Sequence, residues 1–187
     1  MTRSARVRAC MVGPMVCLIL ACADAAPDDS NVARGRGLKP VSLAPEAEAS
    51  VFDAAVRASF DVEPGLVLMV HPRRLPRTAG YDGGEALPAP VAAALRDRGV
   101  VRGVCEPRHE APRDTPRCTG MQAGYVVRAS VPVRVAGDTI QVNFAAEAYA
   151  AETGPRPQSL RFEKIYQLVA RGADWQVLRE ARVKERR

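Results

Sequence analysis

The chain has 187 residues, a formal net charge of +6 at neutral pH, 47% hydrophobic and 5% aromatic residues, and five cysteines. That hydrophobic content excludes a chain without a core, and the length leaves material for one folded domain rather than two. Half of the charge excess is carried by Arg3, Arg6 and Arg8, so the chain from Cys22 onward is only +3, which weakens any argument for nucleic acid as a partner.

Those three arginines precede an apolar run, Met11 to Ala21, followed by small residues. This three-part layout is that of a bacterial export signal, and the run is too short to cross a bilayer as a stable helix. Ile19-Leu20-Ala21-Cys22 resembles the lipobox of bacterial lipoproteins. The resemblance implies removal of residues 1–21, lipid attachment at Cys22 and a membrane held through that lipid. Ala23 after the cysteine implies sorting to the outer membrane of a Gram-negative envelope, facing the periplasm. The alternative is cleavage at Ala21-Cys22-Ala23 or Ala23-Asp24-Ala25, giving a periplasmic or secreted soluble protein.

Residues 22–44, with Pro27, Asp28, Asp29, Gly35, Gly37 and Pro40 and no aromatic residue, read as a flexible tether. The folded domain is expected over residues 45–187. Cysteine usage agrees with export: Cys10 and Cys17 leave with the signal, Cys22 takes the lipid, and Cys105 and Cys118 remain as a pair for a disulfide. The competing reading of that pair is a metal site with His109, which lacks an obvious fourth ligand; no metal or cofactor is expected.

Pro45 to Phe60 is expected to be a helix capped by Ser42, with Glu46 and Glu48 at the positive end of its dipole. Val51, Phe52, Ala55, Val56, Ser59 and Phe60 would form its inward stripe. Leu66 to Val70 reads as a short strand buried on both faces and ended by Pro72. A second helix opens at Pro88 and Pro90, turns Val91, Ala94 and Leu95 inward, and stops at Gly99. Cys105 to Cys118, with Pro107, Pro112 and Pro116, is expected to be an exposed stapled loop.

Four strand-like segments then follow between Tyr125 and Val183. Val127, Ala129, Val131, Val133 and Val135 alternate with Arg128, Ser130, Pro132 and Arg134, which describes one strand with an apolar and a wet face, Pro132 marking an edge or bulge. A two-residue turn at Gly137-Asp138 would pair Val135 with Ile140, Val133 with Val142 and Val131 with Phe144. Across Arg171-Gly172-Ala173-Asp174, as either a two- or a four-residue loop, Ala170 would meet Trp175, Leu168 meet Val177, Glu163 meet Arg182 and Phe162 meet Val183. The same register sets Tyr166 opposite Arg179 and Lys164 opposite Ala181.

The fold class expected is α+β: a curved antiparallel meander of four to five strands packed on one or two amino-terminal helices. The order of elements, with the closing segment Tyr166-Gln167-Leu168-Val169-Ala170-Arg171-Gly172-Ala173-Asp174-Trp175-Gln176-Val177, resembles the NTF2-like family of α+β cones, with the cystatin-like roll as competitor. Such a resemblance implies a space between sheet and helices that hosts enzymes, binders and inert partners alike.

No G-x-S-x-G elbow, H-E-x-x-H helix or glycine-rich phosphate loop occurs in the chain. His71 and His109 titrate near neutrality in principle, but neither has a carboxylate at a spacing that fixes a partner. Tyr166, Arg179 and His71 are the candidate pocket residues, on the argument that polar groups on a helix-covered face must be satisfied or wet. Snorkelling of Lys164 and Arg179 past the sheet edge is the simpler account. The late basic residues Arg179, Arg182, Lys184, Arg186 and Arg187 could touch anionic lipid or form a solvated tail. The expected function is a non-enzymatic envelope lipoprotein whose domain binds an envelope protein or other component. A pocket for a small anionic ligand, with enzymatic activity, is the alternative.

Overall fold

The computed structural model describes residues 37–60, 66–76, 84–107, 116–150 and 161–183. The export signal, Cys22, His109 and Lys184 to Arg187 lie outside the described residues. No helix among the described residues is long and apolar enough to cross a membrane.

The fold is α+β, with two helices against a mostly antiparallel seven-stranded sheet. Helix α1 spans Pro45–Ser59 and buries Ala49, Ser50, Val51, Phe52, Ala55 and Val56. Its cap is Ala44, without a side-chain hydrogen bond, rather than Ser42. Pro45 explains the difference: it holds the residue before it extended and has no N–H to satisfy, so the helix starts three residues after the serine. Helix α2, Ala89–Asp97, buries Val91, Ala92 and Leu95, and Gly99 follows it in the left-handed region at φ 70°.

Strand β1, Leu68–Val70, is buried throughout, as its unbroken apolar run implies. Its neighbours are both parallel: β2, Gly103–Val104, on one side and β3, Ala123–Ala129, on the other. The remaining strands are β4, Val133–Ala136, β5, Thr139–Ala150, β6, Arg161–Arg171, and β7, Asp174–Arg182. The sheet order is β2-β1-β3-β5-β6-β7, with β4 beside β5. The four-segment meander thus survives, but the first segment is two strands and the sheet gains a parallel flank.

Both turns contain two residues and begin with a glycine at positive φ, 49° at Gly137 and 62° at Gly172. Away from the turns the register departs from strict alternation. Ala136 faces Thr139 as expected, but Val135 is bulged, so Arg134 meets Ile140 and Val133 meets Gln141. The chain breaks again at Ser130 to Pro132, where Ser130 Oγ accepts the Asn143 N–H at 3.0 Å, and Ala129, not Val131, faces Phe144. Pro132, with no N–H to give a ladder, marks this break.

The helix-facing side of the sheet carries the main core: Leu68, Val70, Val127, Ile140, Val142, Phe144, Ala146, Tyr166 and Leu168 under Val51, Phe52, Ala55, Val91 and Leu95. Trp175, Val177, Phe60 and Phe162 close its margins. The reverse side is not wet in its first half. Arg128 and Ser130, expected in solvent, are buried there along with Gln141 and Asn143. The segment after β1 closes over Arg128: Leu75 N–H reaches Ala129 O at 3.0 Å, and the Arg128 guanidinium donates to Arg73 O and Arg74 O.

Two further features bound the domain. The residues before α1 belong to it: Pro40 bridges Val133, Val41 N–H donates to Pro132 O, and Val41 and Leu43 pack on the core, so the expected boundary at residue 45 moves towards Gly37. Cys105 and Cys118 are joined by a disulfide, which excludes them as free thiolate ligands for a metal. With Met69, Met121 and Val126 they form a second, smaller core.

Candidate functional site

The bulge in β7 decides what faces Tyr166. Ala170 meets Trp175 and Leu168 meets Val177, as expected; Leu178 is then extra, and beyond it Gln167 meets Arg179, Tyr166 meets Glu180 and Lys164 meets Arg182. Val183 consequently hydrogen-bonds to Glu163 O rather than sitting opposite Phe162. Arg179 and Ala181 pass to the reverse face, where Ala181 joins Ile165 and Val183 in a small apolar patch. The neighbour of Tyr166 is a carboxylate, where alternation predicts a guanidinium.

A compact polar group results at the margin of the main core. Tyr166 is fully buried, and its hydroxyl lies 2.7 Å from Ser59 Oγ in the last turn of α1. Lys164 Nζ is 2.9 Å from Glu180 Oε1 and sits 5.5 Å and 5.9 Å from the ring centroids of Phe162 and Tyr166. Such a cation is held by charge and by ring quadrupoles together.

The titration behaviour follows from this packing. Burial raises the Tyr166 hydroxyl above its ordinary value, against smaller opposing effects of Ser59 and Lys164. For Lys164, burial is the largest influence and pulls downward, but the combined pull of Glu180 and Tyr166 outweighs it and the ammonium is raised. Near neutrality the tyrosine is a phenol and the lysine an ammonium. The pair can donate hydrogen bonds to an acceptor but supplies neither a general base nor an amine nucleophile.

His71 does not join this group. β3 and β5 stand between the strand it follows and β6, and it is buried, with Nδ1 accepting the Arg73 N–H at 3.0 Å. Its neighbourhood is the segment that follows β1, residues 71–76. There Arg74 pairs with Glu48 of α1, and Glu85 Oε1 approaches its Nε to 3.3 Å, an ion-pair contact without hydrogen-bond alignment. Gly84 is required at φ 101°, because a Cβ there would lie 2.0 Å from Arg74 O. Of the three candidate pocket residues, the fold therefore keeps Tyr166 on the helix-covered side and places Arg179 and His71 elsewhere.

Ser59, Glu180 and Phe162 complete the Tyr166 group. Ser59 carried a signal, as the polar member of an apolar helical stripe; Glu180 carried none, because its position depends on one bulged residue. No group of three or more potential metal ligands occurs among the described residues. No protein-family model, curated protein or solved structure matches this chain.

Proposed function

We propose that this is a lipid-anchored protein of the bacterial envelope whose domain is a non-enzymatic binding or interaction module. The observation that supports this reading is the filling of the helix-covered side. Phe144 lies 5.7 Å from Phe52, 6.5 Å from Phe60, 6.3 Å from Phe162 and 6.3 Å from Tyr166, ring centroid to centroid. In a cone of the NTF2-like or cystatin-like kind this is the side where a ligand would enter, and here aromatic rings occupy it. The polar groups at its margin are paired with each other. The anionic-ligand reading needs a cation free to receive the anion, and the β7 register gives Tyr166 a carboxylate neighbour instead.

The export half of the proposal rests on the Arg3 to Cys22 pattern and on a disulfide suited to an oxidising compartment. Replacing Cys22 with alanine is expected to move the protein from the membrane fraction to the soluble fraction; retention in the membrane would overturn the anchor. Native mass spectrometry of the purified domain is expected to give the mass of the bare chain. A stoichiometric co-purifying small molecule would overturn the filled-cone reading.

A further inference from the structure

The strand directions sort the domain into two ends. Both two-residue turns, Gly137-Asp138 and Gly172-Ala173, lie at one end, because Thr139 at the start of β5 pairs with Val169 near the end of β6. At the other end Ala123 opens β3 opposite Ala150. The 12 residues of β5 separate the ends by roughly 40 Å at the usual rise per residue.

The chain enters at the turn end. Arg134 N–H donates to Lys39 O at 3.0 Å and Pro40 bridges Val133, so residues 39–41 run antiparallel to β4 and Gly37 lies on the side of the β4–β5 turn. Only about 15 residues separate Gly37 from Cys22, a reach of at most ~50 Å when fully extended. A leash of that reach keeps the attached end within ~50 Å of the membrane, whereas the opposite end, roughly 40 Å further along the body, is free to stand up to ~90 Å away.

We infer that the turn end of the domain faces the lipid surface and that the opposite end, where β3 begins, projects away from it. This rests on the lipid anchor proposed above. The chemistry of the turn end is compatible with headgroups: Lys39, Arg134 and Arg171 are exposed there with Asp138 and Asp174, and the bulged Val135 is 36% exposed between them. Such a balance does not repel an anionic leaflet. β7 runs away from the turns, so Arg179 is level with Gln141 in the half nearer the turns, and Arg182 is level with Phe144 at the middle of β5.

The mature protein has its cysteines occupied by lipid and disulfide, so one new cysteine gives one free thiol. Asp138→Cys, Ala173→Cys and Gln122→Cys, each carrying a fluorophore, would be reconstituted as the full lipoprotein in vesicles of phosphatidylethanolamine and phosphatidylglycerol. A lipid with a nitroxide headgroup serves as quencher. Quenching several-fold stronger at positions 138 and 173 than at 122 is expected, and equal or reversed quenching in protein that floats with the vesicles overturns the orientation. Failure of the protein to float overturns the anchor itself, and with it this inference.

Discussion

The two sides of the sheet are both buried, and they are buried by different means. On the helix-covered side, Phe144, Val142, Ile140 and Leu168 meet apolar stripes of α1 and α2, and stability comes from area removed from water. On the reverse side, Arg128, Ser130, Gln141 and Asn143 are buried polar groups whose lost water must be replaced. Arg73 O and Arg74 O of the segment after β1 accept from Arg128, and Ser130 Oγ accepts the Asn143 N–H, while Asn143 Nδ2 is left without a hydrogen-bond partner. The first kind of contact is non-directional and tolerates small displacements of the groups that make it. The second requires particular atoms, which is why a serine hydroxyl stands in the β3–β5 ladder and why Gly84 must lie close to Arg74 O.

Cutting into the apolar side should have the largest effect. Phe144→Ala is expected to cost about 3–5 kcal/mol, the range for deleting a fully buried phenylalanine, because four other rings border the hole and cannot all collapse into it. Urea unfolding measured against the parent protein checks this. A loss below about 1 kcal/mol would mean that the aromatic cluster is not the main core.

The disulfide comes next and belongs to the reverse side. A crosslink over 13 residues of sequence stabilises by about 3 kcal/mol in the chain-entropy model. The Cys105→Ser, Cys118→Ser double variant is therefore expected to unfold at lower urea, with the parent reaching the same midpoint once a reductant is added. A parent insensitive to reductant would show that the pair is not joined in solution.

Arg128→Met sharpens the comparison most directly. The thioether matches much of the stem, so volume is nearly kept, while Arg73 O and Arg74 O lose their donors. An unsatisfied buried carbonyl costs about 1–3 kcal/mol, and about 2 kcal/mol overall is expected here. Amide hydrogen exchange gives the signature that separates this from a packing defect: faster exchange at Leu75 and Arg74, whose N–H groups hold the covering segment to Ala129 and Glu85, with the α1 amides unchanged.

How much of this was legible in the sequence follows the same division. The stripe of α1, the buried strand at Leu68, both glycine turns and the Cys105–Cys118 pair could be read, since each depends on local periodicity, turn chemistry or a count. Arg128 could not, because alternation assigns it a face and says nothing of what lies on that face. The bulges at Val135 and Leu178 were hidden for a related reason. Trp175, Val177, Ala181 and Val183 keep one parity along the chain, yet the fold uses the first two for the main core and the last two for the reverse patch. Alternation cannot tell one continuous apolar face from two halves of opposite faces. The available hint was Leu178, an apolar residue out of phase, and it is 55% exposed.

That same bulge sets the smallest effect, at the margin between the two sides. Tyr166 and Lys164 are both raised, so the folded chain holds those protons more tightly than the unfolded one. Their contribution to stability is present below about pH 10, the region where unfolded tyrosine and lysine titrate, and is lost as the pH climbs through the folded values. Tyr166→Phe keeps the ring and removes the hydroxyl bonded to Ser59, at a cost of about 1 kcal/mol at neutral pH. It should also flatten the alkaline decline, because one of the two titrating groups is gone. A variant whose stability falls above pH 10 as steeply as the parent's would place the decline on Lys164 and Glu180, leaving the tyrosine as packing alone.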